Sequence, residues 1–124
     1  MQGDERAARE ARQAVRLALQ GWQQRIHAVI EIARDSDDLS VRLPVLEELA
    51  HELVADLERA MHGLDAAAQD REAVLPRGAD VLRDALGKAH AQLYGIELWH
   101  RGPSVNALRK ARDGFVAAVE RLDR

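Results

Sequence analysis

The sequence predicts an all-α protein, an antiparallel up-down four-helix bundle with a long first helix. Three observations predict it. Apolar residues recur at spacings of three and four through four long segments, the period of a helix with one buried face. No run alternates as a strand would. Pro and Gly cluster between the segments, and the connections are short enough to make neighbouring helices antiparallel.

Segment one spans about 4–34, with Val15, Leu19, Trp22, Ile26, Val29 and Ala33 as its stripe. Ala7, Ala11, Ala14 and Ala18 widen that face along one edge. "DSDDLS" at 35–40 ends it, because these side chains compete for backbone hydrogen bonds and favour caps. Segment two begins between Ser40 and Pro44, since Pro is tolerated in a first turn. Its stripe is Leu46, Leu49, Leu53, Leu57, Ala60 and Leu64, giving a helix of roughly 20 residues. Segment three is expected over 72–101, with Leu75, Ala79, Leu82, Leu86, Ala89, Leu93, Ile96 and His100 in line. Gly102-Pro103 closes it, with Gly at the first non-helical position and a Pro that cannot continue the helix. Segment four runs from 103 or 104 to 122, with Val105, Leu108, Phe115, Val119 and Leu122 on one face.

Composition narrows the function. The 124 residues suit a single helical domain over 1–124. Aromatic residues make up 3% of the chain, so the core must be aliphatic. Without Cys there is no disulfide, thiolate metal site or cysteine nucleophile. A net charge of −3 argues against nucleic acid as a partner, because its binders carry basic surfaces. No stretch approaches the roughly 20 apolar residues of a membrane span, and the charged start "MQGDERAARE" has no apolar run behind it. The chain therefore reads as cytoplasmic, without a membrane partner. Its basic residues are nearly all Arg, a bias that fits a GC-rich bacterial or phage coding sequence.

Two Glu-x-x-His pairs, Glu48/His51 and Glu97/His100, have the spacing of half a di-iron carboxylate site. Such ligands must point into the bundle. At about 100° per residue, Glu48 and His51 lie roughly 150° from their stripe. His27 and Glu31 lie about 120° and 160° off theirs. Only Glu97 and His100 flank a core face, and one pair cannot hold a cluster. The sequence thus predicts neither metal nor cofactor. Instead Glu97 and His100 should form a polar plug at a helix end with Arg109 or Arg112 of segment four, where a cation also suits the helix dipole.

Other stretches resemble known families. "LAHELVADL" around His51 resembles a histidine phosphotransfer domain, whose reactive His projects from a four-helix bundle. That family expects Lys three residues on and a Gly-type residue next; here those places hold Val54 and Ala55. Arg83 and His90 in "RDALGKAH" are similar to the Arg/His motif of HEPN-type ribonucleases, which implies RNA phosphodiester cleavage by those two residues. "VADLERAM…LPRGADVLRDAL…YGIEL" over 54–98 is similar to the helical part of GrpE-type nucleotide exchange factors, which implies a chaperone cofactor. In that family a β-rich domain follows the helices, and no strand pattern occurs here.

Apolar residues lie off the stripes as well. Leu17 points away from its own, Tyr94 and Trp99 lie about 110° from theirs, and Leu98 about 150°. Tyr and Trp favour interfaces; a wider bundle face would bury them equally well. Segment one, at about 45 Å, outruns a 30 Å partner and leaves its start overhanging. Alanine there also follows from helix propensity, but propensity does not call for Leu17. The sequence therefore predicts a protein-interaction module without catalytic chemistry. It should pair with itself through helix 1, at Ala7, Ala11, Ala14, Leu17 and Ala18, and bind a further protein partner. Tyr94, Leu98 and Trp99 form the other candidate contact.

Overall fold

The computed structural model describes residues 2–35, 39–70, 78–94 and 105–123, with side chains placed for 5–32, 46–70, 78–94 and 106–123. Four helices account for nearly all of them: α1 (Gln2–Asp35), α2 (Leu39–Gln69), α3 (Ala79–Leu93) and α4 (Val105–Leu122). No strand occurs among the described residues.

Cross-helix pairs give the directions. Arg16 of α1 reaches Asp123 just past α4, while farther along α1 His27 meets Arg112 of α4. The two helices are therefore antiparallel. On α2 and α3, Asp65 pairs with Arg83 and Glu58 with His90, again in opposite order. Gly78, just ahead of α3, lies against Leu122 at the end of α4, so α3 and α4 are antiparallel too. Most of the packing on α1 comes from α4, although α2 follows it in sequence.

The core is aliphatic, as the composition requires. Val15, Leu19, Ile26, Leu46, Leu53, Leu57, Leu86, Ala89, Leu93, Leu108, Phe115 and Leu122 are all buried. Ile30, Ala50, Val54, Ala85, Ala111 and Ala118 join them from outside the expected stripes. Each bundle helix touches at least two others, so its buried face is wider than a two-position seam. The half-buried Trp22 stacks on Phe115, ring centroids 6.2 Å apart, with the Arg25 guanidinium 5.5 Å from the indole centre. No polar or charged side chain is buried among the described residues.

Three expectations need correction. The second helix has 31 residues rather than about 20. Gly63 costs less than the good helix formers around it supply, Ala60, Met61, Leu64 and Ala66 to Ala68. The third helix ends at Leu93, well before 101. Tyr94 is extended at ψ 138°, and its N–H closes the helix on the His90 carbonyl at 2.7 Å. Of the alanines of the first helix, Ala7 and Ala14 are exposed and do not widen its core face, whereas Ala11 and Ala18 are half-buried at its edge.

The overhang of α1 exists for a different reason from the one its length implied. Val15 is the first buried residue among those described in α1, and it lies at the level of Gly78 and Leu122. The described parts of α3 and α4 stop there, and none of residues 5–14 of α1 is fully buried, although Ala8, Ala11 and Arg12 are half-buried.

Gly78 fixes this junction. It has φ +95°, and a Cβ added to it would lie 2.5 Å from a Leu122 methyl. Ala at this position carries a left-handed backbone penalty of about 1–2 kcal/mol plus a clash. Gly78→Ala should therefore destabilise the fold by about 2–4 kcal/mol in chemical denaturation. Gly63 and Gly114 have open space where a Cβ would go. Ala at either should stabilise by about 0.5–1 kcal/mol through helix propensity.

Candidate functional site

The outer face of α1 is the most distinctive surface of the described molecule. From Gln13 to Ala28 the exposed residues are Gln13, Ala14, Leu17, Gly21, Gln24, His27 and Ala28, with no Asp, Glu, Lys or Arg among them. The charged residues of that stretch point elsewhere. Arg16 is paired with Asp123, and Arg25 bonds Asp56 of α2 at 2.6 Å. The exposed face of α4 differs: it carries Arg109, Lys110, Asp113, Glu120 and Arg121. In a chain with 31% charged residues, loss of charge along four turns is the compositional mark of an interface centre.

Leu17 stands at the middle of this face, 58% exposed. One turn on, Gly21 has nothing within 4 Å of where its Cβ would be, so an open dimple adjoins a projecting leucine. Ile32, 40% exposed, continues the apolar character beyond Ala28. Ala7, Ala14, Gly21 and Ala28 recur every seven residues, all exposed. A seven-residue repeat of small side chains allows close helix approach along one seam.

Tyr94, 67% exposed, is the other large apolar group at the surface among the described residues. Its ring tilts over His90 with centroids 5.1 Å apart. Leu98 and Trp99, expected to share its patch, lie outside the described residues. So do Glu97 and His100 of the expected polar plug. Of their proposed partners, Arg109 is exposed. Arg112 is half-buried, with Nη1 3.2 Å from Nδ1 of His27 and Nε 3.4 Å from Asp113. The Arg donates to Nδ1, which leaves the His27 Nε2 proton facing Glu31 at 3.4 Å.

Arg83 and His90 lie two turns apart on the flank of α3 facing α2, and each has its own carboxylate. Arg83 forms a two-pronged pair with Asp65, at 2.8 and 3.1 Å. His90 Nε2 lies 2.9 Å from Glu58. Glu58 and Asp65 are also two turns apart, so the four side chains form two rungs of one ladder between α2 and α3. This arrangement gives both residues a structural task, which sequence reading missed because it depends on helix register. The Arg83 hydrogen bond holds the Asp65 carboxyl below the usual carboxylate range, and Asp65 in turn raises Arg83.

Glu48 and His51 are both exposed, as their angular position indicated. Val54, where a phosphotransfer domain would carry Lys, is buried in the core. Among the described residues no three His, Asp or Glu side chains are grouped to hold a metal ion, and no helix is long and apolar enough to cross a membrane. In comparisons with protein-family models, curated proteins and solved structures, the chain matches none.

Asp84 lies between Lys88 and Arg121, at 3.0 and 3.1 Å, and those bonds lower its carboxyl as they do in Asp65. A carboxyl lowered in the fold stabilises it above the unfolded value, near pH 4, and loses that effect as pH falls through the folded value. The double variant Asp65→Asn/Asp84→Asn should therefore melt below the wild type at pH 7. The gap should narrow as pH falls below about 4, as the lowered carboxyls of the folded wild type take up protons. A gap of constant size across that range would show that the two pairs contribute nothing through charge.

Proposed function

We propose that the protein is a helical interaction module without catalytic chemistry of its own. It acts in the cytoplasm as a homodimer formed through α1 and as a binder of a further protein. The observation that carries this reading is the charge-free outer face between Gln13 and Ala28, centred on the exposed Leu17. A helix already supplying Val15, Leu19, Ile26 and Ile30 to its own core has no folding need for a leucine opposite them. Ala7, Ala11, Ala14 and Ala18 line the same helix, and their small size lets a second backbone approach.

Tyr94 marks a separate surface at the end of α3, suited to the further partner because Tyr offers apolar area and a polar tip together. The resemblance of residues 54–98 to GrpE-type factors implies the same class of activity, contact between proteins. The net charge of −3 accords with a partner other than nucleic acid. The ribonuclease reading loses weight because Arg83 and His90 are each engaged by a carboxylate on α2.

Light scattering coupled to size exclusion tests the proposal. At tens of micromolar the wild type should have twice the 13.8 kDa chain mass. Leu17→Glu should shift it toward monomer while leaving the helical circular dichroism and melting cooperativity intact, because Leu17 faces away from the core. A wild-type monomer at that concentration would refute self-association through α1.

A further inference from the structure

We infer that the two copies of α1 pack antiparallel about a two-fold axis at the level of Leu19, each Leu17 filling the space over Gly21 of the partner subunit. The inference rests on the dimeric reading above and adds its orientation and register.

The argument begins with shape. Leu17 projects and Gly21, one turn later on the same exposed face, leaves an open dimple. A knob and a hole so close together are self-complementary only if the second helix runs the other way. Antiparallel helices related by a two-fold axis pair residues whose numbers have a constant sum, and pairing 17 with 21 sets that constant. Ala14 then faces Gln24 of the partner subunit, and Glu10 faces the partner's Ala28. A parallel pair would instead set Leu17 against the partner's Leu17, and each Gly21 gap against the other.

Charge points the same way. The exposed start of α1 carries Arg6, which bonds Glu10 one turn on at 3.2 Å with both side chains largely solvated, and its far half carries Glu31. In the antiparallel register Arg6 comes within one turn of Glu31 of the partner subunit, and the symmetry repeats the contact. Glu10 meets the small, neutral Ala28. A parallel arrangement places Glu10 on Glu10, Glu31 on Glu31 and Arg6 on Arg6. Juxtaposed like charges of this kind are how interfaces reject a wrong partner or register.

Length supplies the third strand. Residues 5–14 project past the core of their own bundle. In the antiparallel register they lie along 24–33 of the partner's α1, where Ala28 and Ile32 are exposed in the single chain. The overhang, none of it fully buried in its own bundle, thus covers the apolar end of the other. The seam runs for roughly 50 Å.

Engineered disulfides test orientation and register directly, because the chain has no Cys. In the double variant Ala14→Cys/Gln24→Cys each new thiol faces the opposite position on the second copy. Oxidation with glutathione disulfide should convert most of the protein to a covalent dimer. The two sites are about 15 Å apart along one helix, far beyond the roughly 7 Å limit between Cα atoms, so no internal bond can form. Ala28→Cys alone should stay unlinked, since the register separates the two copies by about 27 Å. Light scattering on the reduced variants first confirms that each is still dimeric. A dimer in which Ala28→Cys links would overturn the inference in favour of parallel helices, which set each residue against its own copy and so link the double variant as well. A dimer in which neither links would move the interface off this face. A monomeric wild type would fail the underlying dimer proposal, an outcome distinct from both.

Discussion

The burial of one stripe of α1 against α4 organises the molecule. Leu19, Ile26 and Phe115 are almost wholly excluded from solvent, and Trp22 closes over Phe115 from the rim. At about 1.5–3 kcal/mol for each large side chain, this contact outweighs any single pair on the surface. It begins at Val15 because α4 ends at Leu122, and Gly78 lets the chain turn into α3 at that same level. The direction in which α1 points its inner stripe fixes what its outer face presents. Leu17, Gly21, Gln24 and Ala28 face outward because Val15, Leu19, Ile26 and Ile30 face inward.

Polar contacts arrange the bundle rather than hold it together. The Arg83–Asp65 and His90–Glu58 rungs set the register of α2 on α3, and Arg25–Asp56 ties α1 to α2. All are at least partly solvated, and such pairs contribute little net stability. They serve to favour one alignment of helices whose aliphatic faces would tolerate several. That division of labour also explains Arg83 and His90, whose spacing resembles a catalytic motif and whose surroundings are those of ladder rungs.

Much of the fold was legible in the sequence, because helical periodicity survives in a chain with few aromatic or polar core residues. Leu46, Leu53 and Leu57, and likewise Leu86, Ala89 and Leu93, are buried where their spacing placed them. The buried alanines Ala50, Ala85, Ala111 and Ala118 were not picked out, since Ala is equally at home on an exposed helix surface. Helix ends were less legible. The end of α3 at Leu93 turns on the extended Tyr94, in the middle of an apolar run that reads as continuous helix. Cross-helix pairs could not be read at all, because they depend on relative register and no local pattern encodes it. The outward direction of Leu17 was legible from the helical period; the loss of charge around it emerged only when Arg16 and Arg25 were seen turned toward other helices.

The central claim is that the outer face of α1 is covered by a second copy. Hydrogen exchange across a dilution series tests it most directly, since none of residues 5–14 is fully buried in the single chain. A solvated helix end frays, so its amides exchange quickly, while those packed on a core are slow. If the account is right, amides of residues 5–14 are protected at high protein concentration and lose that protection on dilution, while those of 19–30 stay protected throughout. Fast exchange of residues 5–14 at every concentration, beside a fully protected core, would contradict it.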